Sequence, residues 1–182
     1  MRRLGVLAVL LWGVPAGADE WAVGVRAQAE KVASSDDGSD PGVDLGGAEL
    51  LVRWRFWPHW GLEVALGSVR GSGPGYDRRS DAIIVTGALH LTPGHPWDAY
   101  LFLGIGGATD HITAGGGERE FKETELRLGA GLEWRWEHVG LGAELAGIGM
   151  GRVDKDQAMP LDPVPAKSGG VQLSVVLGYY VF

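Results

Sequence analysis

From Trp21 onward, apolar residues recur at every second position, the period of a strand with one apolar and one polar face. Trp21, Val23, Val25, Ala27 and Ala29 share one side of a first strand, and Arg26, Gln28 and Glu30 the other. A second, over about 46–57, sets Ala48, Leu50, Val52, Trp54 and Phe56 against Glu49, Arg53 and Arg55. The third (60–67) sets Leu62, Val64 and Leu66 against Glu63, and the fourth (81–91) sets Ile83, Val85, Leu89 and Leu91 against Thr86 and His90. The fifth (97–108) is apolar on both sides. The sixth (121–136) alternates Leu126, Leu128, Leu132, Trp134 and Trp136 with Glu123, Glu125, Arg127, Glu133 and Arg135. The seventh (139–150) sets Val139, Leu141, Ala143 and Leu145 against Glu144, and the eighth sets Val171, Leu173, Val175, Leu177 and Tyr179 against Gln172 and Ser174.

The connections alternate in length. Strands two and three, four and five, and six and seven are joined by 58–60, 92–96 and 137–138, which are tight turns. The others are separated by polar stretches over 31–45, 68–80, 109–120 and 151–168, rich in Gly, Asp, Ser and Pro, which predict long loops. An up-and-down meander then carries its turns at one end and its loops at the other, as a transmembrane barrel does.

Ahead of the first strand stand Met1-Arg2-Arg3, an apolar run from Leu4 to Val14, and Ala16-Gly17-Ala18 before Asp19. That order predicts a signal peptide over 1–18, its apolar run too short to span a bilayer as a helix, and a barrel domain over 19–182. There are no cysteines, so disulfides and thiolate metal sites are excluded. Without Arg2 and Arg3 the chain has 14 Lys and Arg against 23 Asp and Glu, and this acidity argues against a nucleic-acid partner. The 31 Gly weigh against a helical bundle.

Eight alternating strands also describe a soluble lipocalin-like barrel with its apolar face inward. Tryptophan decides between the two. Trp21, Trp54, Trp57, Trp60, Trp97, Trp134 and Trp136 all fall at the chain-start or short-turn end of a strand, and Tyr179, Tyr180 and Phe182 join them. Such a girdle belongs at a membrane interface, so the apolar face is expected to meet lipid and these ten aromatics to line the interface. All four Lys lie in loops or at a loop edge, while the polar strand faces use Arg and Glu, which pair by forked hydrogen bonds in a narrow bore. Arg26, Arg53, Arg55, Arg127, Arg135, Glu49, Glu63, Glu133 and Glu144 are therefore the expected lumen network, with Glu30, Glu123 and Glu125 on the same parity. If 58–60 forms a three-residue connection, Arg55 falls opposite Glu63.

With its signal peptide, alternating strands, turn and loop alternation and terminal run Leu177-Gly178-Tyr179-Tyr180-Val181-Phe182, the sequence resembles the small outer-membrane β-barrel family, the eight-stranded barrels of the OmpA and OmpX kind. The resemblance implies an all-β, eight-stranded antiparallel transmembrane barrel in a Gram-negative-type outer membrane. It also implies periplasmic chaperones and the outer-membrane assembly machinery as partners in biogenesis. The family pattern would turn Tyr180 and Phe182 to lipid, whereas the alternation here turns Leu177 and Tyr179 outward; a bulge near Gly178 or a shift of one residue would reconcile them.

Other constellations are weaker. His111 beside Asp110, with Ser68, Ser72 and Ser80 nearby, could suggest a lipid-modifying enzyme, but no acyltransferase or deacylase motif accompanies them. His59, His95 and His138 lie in separate turns, with His90 near the same end, too dispersed to converge on a metal. Asp36, Asp37, Asp40 and Asp44 lack the spacing of a calcium loop. Arg70, Arg78 and Arg79 are candidates for contact with lipid headgroups, the phosphates of lipopolysaccharide among them. The expectation is a monomeric, non-enzymatic barrel without cofactor or metal, its lumen closed by charge, acting structurally or through its external loops. A small-solute channel or ligand-binding barrel is the alternative.

Overall fold

The computed structural model describes residues 20–34, 42–73, 75–153 and 167–181. Eight strands form one closed antiparallel barrel in chain order: β1 (Glu20–Ser34), β2 (Val43–Trp57), β3 (Trp60–Gly73), β4 (Tyr76–His90), β5 (Trp97–Ala114), β6 (Gly117–Trp136), β7 (Val139–Arg152) and β8 (Lys167–Val181). β1 closes the barrel against β8, from Trp21 opposite Val181 to Ser34 opposite Ser168. Closure satisfies every strand edge, the condition for putting sheet into hydrocarbon. The expected signal peptide lies outside the described residues.

The apolar face points outward. Leu50 is 68% exposed, Leu128 63% and Leu173 60%, while on the opposite parity Glu49, Arg127 and Gln172 are buried. This inverts the soluble pattern, and large apolar side chains left on the outside need lipid as their solvent.

The short-turn end is as the sequence predicts, except in one register. Trp57 pairs with Trp60 across a two-residue Pro58-His59 turn, with a β-bulge between Arg55 and Trp57. Arg53, not Arg55, therefore lies opposite Glu63, and Trp54 opposite Leu62. The slip is two residues, so both faces keep their identity.

At the other end, two expected loops are strand. Residues 68–73 and 76–80 belong to the arms of the β3–β4 hairpin, from Ser68 opposite Asp81 to Gly73 opposite Tyr76. Residues 109–120 form the β5–β6 hairpin, closed between Ala114 and Gly117 by Gly115 and Gly116, both at positive φ (57° and 83°). Two consecutive left-handed residues make the tight turn that matches strand twist, and Gly supplies them without strain. The strands run 14–20 residues, more than the 9–11 that cross a bilayer, so these hairpins rise beyond the membrane. The expected loops over 31–45 and 151–168 are shortened by β1, β2, β7 and β8; Asp36, Asp37 and Asp40 lie outside the described residues.

Adjacent glycines give a direct test of which side is in. A Cβ on Gly106 would stand 2.0 Å from the backbone oxygen of Ile83, whereas on Gly107 it would meet only the Glu123 oxygen, at 3.9 Å. Gly106→Leu should abolish refolding and Gly107→Leu should leave it intact, read as the heat-dependent gel shift of folded barrel. The reverse pattern would mean that the two faces are exchanged, and equal tolerance that neither position is enclosed.

Candidate functional site in the lumen and at the outer rim

Inward positions of β1 to β7 fill the barrel with charge, and β8 adds the uncharged Gln172, Ser174 and Tyr180. At the turn end, Arg135 bonds Glu20 at 2.7 Å and Glu133 at 2.6 Å, and its guanidinium lies 4.2 Å from the centre of the Tyr180 ring. Arg55 pairs with Asp98, which also lies 2.8 Å from His90 Nδ1.

In the middle of the bore two arginines act as cross-braces. Arg53, from β2, reaches Glu63 on β3 at 2.6 Å, Glu133 on β6 at 2.7 Å and Glu144 on β7 at 2.8 Å. Arg26, from β1, reaches Glu49 and Glu63 at 2.6 Å and Glu144 at 2.8 Å. Tyr100 donates to Glu144 at 2.7 Å, and Tyr180 donates to Glu133 at 2.5 Å. Arg127 joins Glu49 at 2.8 Å to Glu125 at 2.5 Å. The guanidinium fork is what lets one side chain bind carboxylates on several strands at once. The structure thus brings together all nine charged residues expected in the lumen.

The outer end of the bore is different. Val32, Val43, Leu45, Val69, Ile148 and Met150 point inward and pack together as a buried apolar layer, with Tyr76 against it; Ile112 and Phe121 form a second patch beside the same Tyr76. Arg78 sits there with Asp110 at 2.5 Å and Glu123 at 3.2 Å. The lumen is therefore charged below and mixed above, where an apolar layer surrounds the Arg78, Asp110 and Glu123 cluster. Among the described residues, cavities of about 30 Å³ near the turn end and about 10 Å³ beside Glu30 and Glu125 have room for isolated waters.

Several residues fall elsewhere than the sequence suggests. Tyr180, expected at the membrane interface, is 4% exposed and points inward to Glu133, because strand eight keeps its alternation through Gly178 with no bulge. Phe182 lies outside the described residues. Arg78, expected at lipid headgroups, is 3% exposed inside the barrel, its strand alternation continuing past the membrane. Arg70 and Arg79 face outward. Asp98, Asp110, Tyr100 and Glu20 are lumen members that the sequence reading missed. The inward parity of β5 could have found Asp98 and Tyr100, had the strand's other face been less similar.

The outward tryptophans form the expected girdle. Trp21 stacks on Trp54 with centroids 5.5 Å apart, Trp97 on Trp134 at 6.0 Å, and Trp57, Trp60, Trp136 and Tyr179 are exposed around the same rim. Asp110 faces the lumen while its neighbour His111 faces out, so the two form no catalytic pair. His111 lies 3.8 Å from Asp81 and 3.6 Å from Glu118. His59 and His138 each contact a backbone oxygen, of His90 and Tyr180, and among the described residues no three metal-ligating side chains converge.

No protein-family model matches the sequence, and no curated protein matches it either. Solved structures do. Neisserial surface protein A is similar with a TM-score of 0.70 at 16% identity, over 87% of this chain and 96% of that one. The N-terminal β-barrel domain of Pseudomonas aeruginosa OprF gives 0.55 at 15%, over 88% and 97%. Ail, the attachment invasion locus protein of Yersinia pestis, solved in complex with the heparin analogue sucrose octasulfate, gives 0.58 at 16%, over 89% and 98%. With its apolar face outward, its aromatic girdle and its closed eight-strand sheet, the chain has the fold of the small outer-membrane β-barrels.

Proposed function

We propose that the protein resides in the outer membrane as a non-conducting barrel, and that it acts as a structural and surface-interaction protein through the hairpins at its outer end. The observation that carries this reading is the double brace of Arg26 and Arg53, which ties carboxylates of β2, β3, β6 and β7 across the bore. An eight-strand interior is about wide enough to be filled by side chains, and here the filling is charged below, with an apolar layer and a further buried ion-pair cluster above. Solute would have to break buried ion pairs and then cross the apolar layer. Among the described residues, the polar hairpins β3–β4 and β5–β6 offer a surface on which partners can act. Ail, of the same fold, is solved in complex with a heparin analogue, sucrose octasulfate, which supports ligand recognition as a use of this architecture. No catalytic step is part of the proposal. Chaperone escort and insertion by the assembly machinery are expected from the resemblance of the terminal strand.

Purified protein that shows the heat-dependent gel shift of a folded barrel should give no stable channel in planar bilayers. Reproducible conductance steps that change on Arg53→Ala or Glu63→Ala would put the small-channel alternative first. Recovery of the native protein in the soluble periplasmic fraction would remove the membrane reading altogether.

A further inference from the structure

We propose that the outward face of β3, β4 and β5 just above the apolar band binds the phosphorylated saccharide headgroup of an outer-leaflet glycolipid. Leu66 and Ile83 are directly opposed and exposed, and they are the last large apolar pair on β3 and β4. The next outward row is Ser68, Asp81 and Thr109, and the one after it Arg70, Arg79 and His111. At about 3.3 Å per residue and a tilt of roughly 40°, the arginine row stands roughly 10 Å above the hydrocarbon, at the level of headgroup phosphates and first sugars.

Arg70 and Arg79 are direct partners across β3 and β4, an arrangement of like charges that a sheet ordinarily disfavours. Arg79 is fixed by Asp81 through contacts of 2.9 and 3.0 Å. Arg70 is exposed and makes no ion pair among the described residues. Both arginines line a groove of about 520 Å³ with Arg78, His111, Thr113 and the carboxylates of Glu118 and Asp77, Asp77 accepting from Ser72 at 2.6 Å, so three arginines face two carboxylates there. A phosphate between the two guanidiniums would relieve their repulsion and use the planar fork. The hydroxyl of Thr113 and the carboxylate of Asp77 suit the hydroxyls of a sugar. An apolar wall beneath a phosphate- and sugar-binding groove is complementary to an amphiphile standing in the same leaflet, and that favours a lipid over a free anion.

This assignment rests on residence in the outer membrane but not on the closed lumen, so a conductance result leaves it untouched. The test uses the refolded full barrel in phosphatidylcholine vesicles containing diphosphoryl lipid A, or the same lipid A with its phosphates removed, with binding read as the rise in thermal unfolding midpoint against lipid content. Diphosphoryl lipid A should raise the midpoint and the dephosphorylated form should not. Arg70→Gln, at an exposed site that leaves the fold intact, should weaken the apparent affinity roughly tenfold, the scale of one charge-assisted fork. Lys31→Gln, outward at the outer end of β1, should leave it unchanged. Equal binding by Arg70→Gln and the parent, equal loss on Lys31→Gln, or a response to both lipids alike would overturn the site. Displacement by millimolar inorganic phosphate would overturn its assignment to a lipid.

Discussion

Arg53→Met should destabilise the barrel by about 3–5 kcal/mol, an effect far larger than a change of side-chain volume would produce. Methionine fills the space left by the aliphatic stem. It gives nothing to Glu63, Glu133 and Glu144, which are now held at 2.6, 2.7 and 2.8 Å by one guanidinium. Glu63 and Glu144 keep Arg26, and Glu133 keeps Arg135, but each carboxylate loses a charged donor at a site shielded from water. The penalty comes from leaving buried charge under-compensated, not from the net worth of the pairs, which desolvation largely offsets. A urea titration of the refolded protein, followed by tryptophan fluorescence, measures it. Adding Glu63→Gln should return part of the loss, since the doubly changed protein has one buried charge fewer to satisfy. A cost below about 1 kcal/mol for Arg53→Met would mean that water reaches the middle of the bore and screens these carboxylates, which would also undercut the closed lumen.

Much of the barrel was legible because lipid and lumen demand opposite chemistry at successive residues. In β2 and β6 that demand is met almost without exception, so Leu50 and Glu49, or Leu128 and Arg127, declare their faces in the sequence alone. Legibility fails where the demand relaxes. Above the membrane both faces of a strand can be polar, so Asp77, Arg78, Arg79 and Ser80 read as loop although they are strand, with Arg78 and Ser80 turned in. In β5 both faces are apolar, which hid Asp98 and Tyr100. At the outer end of the bore the inward parity itself becomes apolar at Val32, Val43, Leu45 and Val69, so a rule that sends only charge to the lumen misses the layer that caps it. The Arg55–Glu63 register failed for a local reason: periodicity fixes parity, but a bulge and the length of a turn move a pairing by two residues without changing either face.

Leu128→Arg carries the other large expected effect and tests the lipid face as Arg53→Met tests the lumen. On β6 the outward positions run Trp134, Leu132, Ala130, Leu128, Leu126, Thr124 and Lys122, so Leu128 stands midway between the aromatic girdle and the first outward lysine. It lies between Leu103 on β5 and Gly147 on β7, 63% exposed, and nothing polar stands beside it on that face for a guanidinium to meet. An arginine there must face hydrocarbon or bend the bilayer, at a cost of about 2–4 kcal/mol near the midplane. Thr124→Arg, two outward positions nearer the outer rim, can extend toward the headgroups and should cost no more than about 1 kcal/mol. The gradient between the two sites, measured by reversible unfolding from vesicles, separates membrane depth from a generic intolerance of arginine. Because Arg127, the very next residue, is accommodated in the bore, the contrast cannot be charged to the strand as a whole. A flat profile, with Leu128→Arg and Thr124→Arg costing the same, would show that the apolar face of β6 does not cross a bilayer.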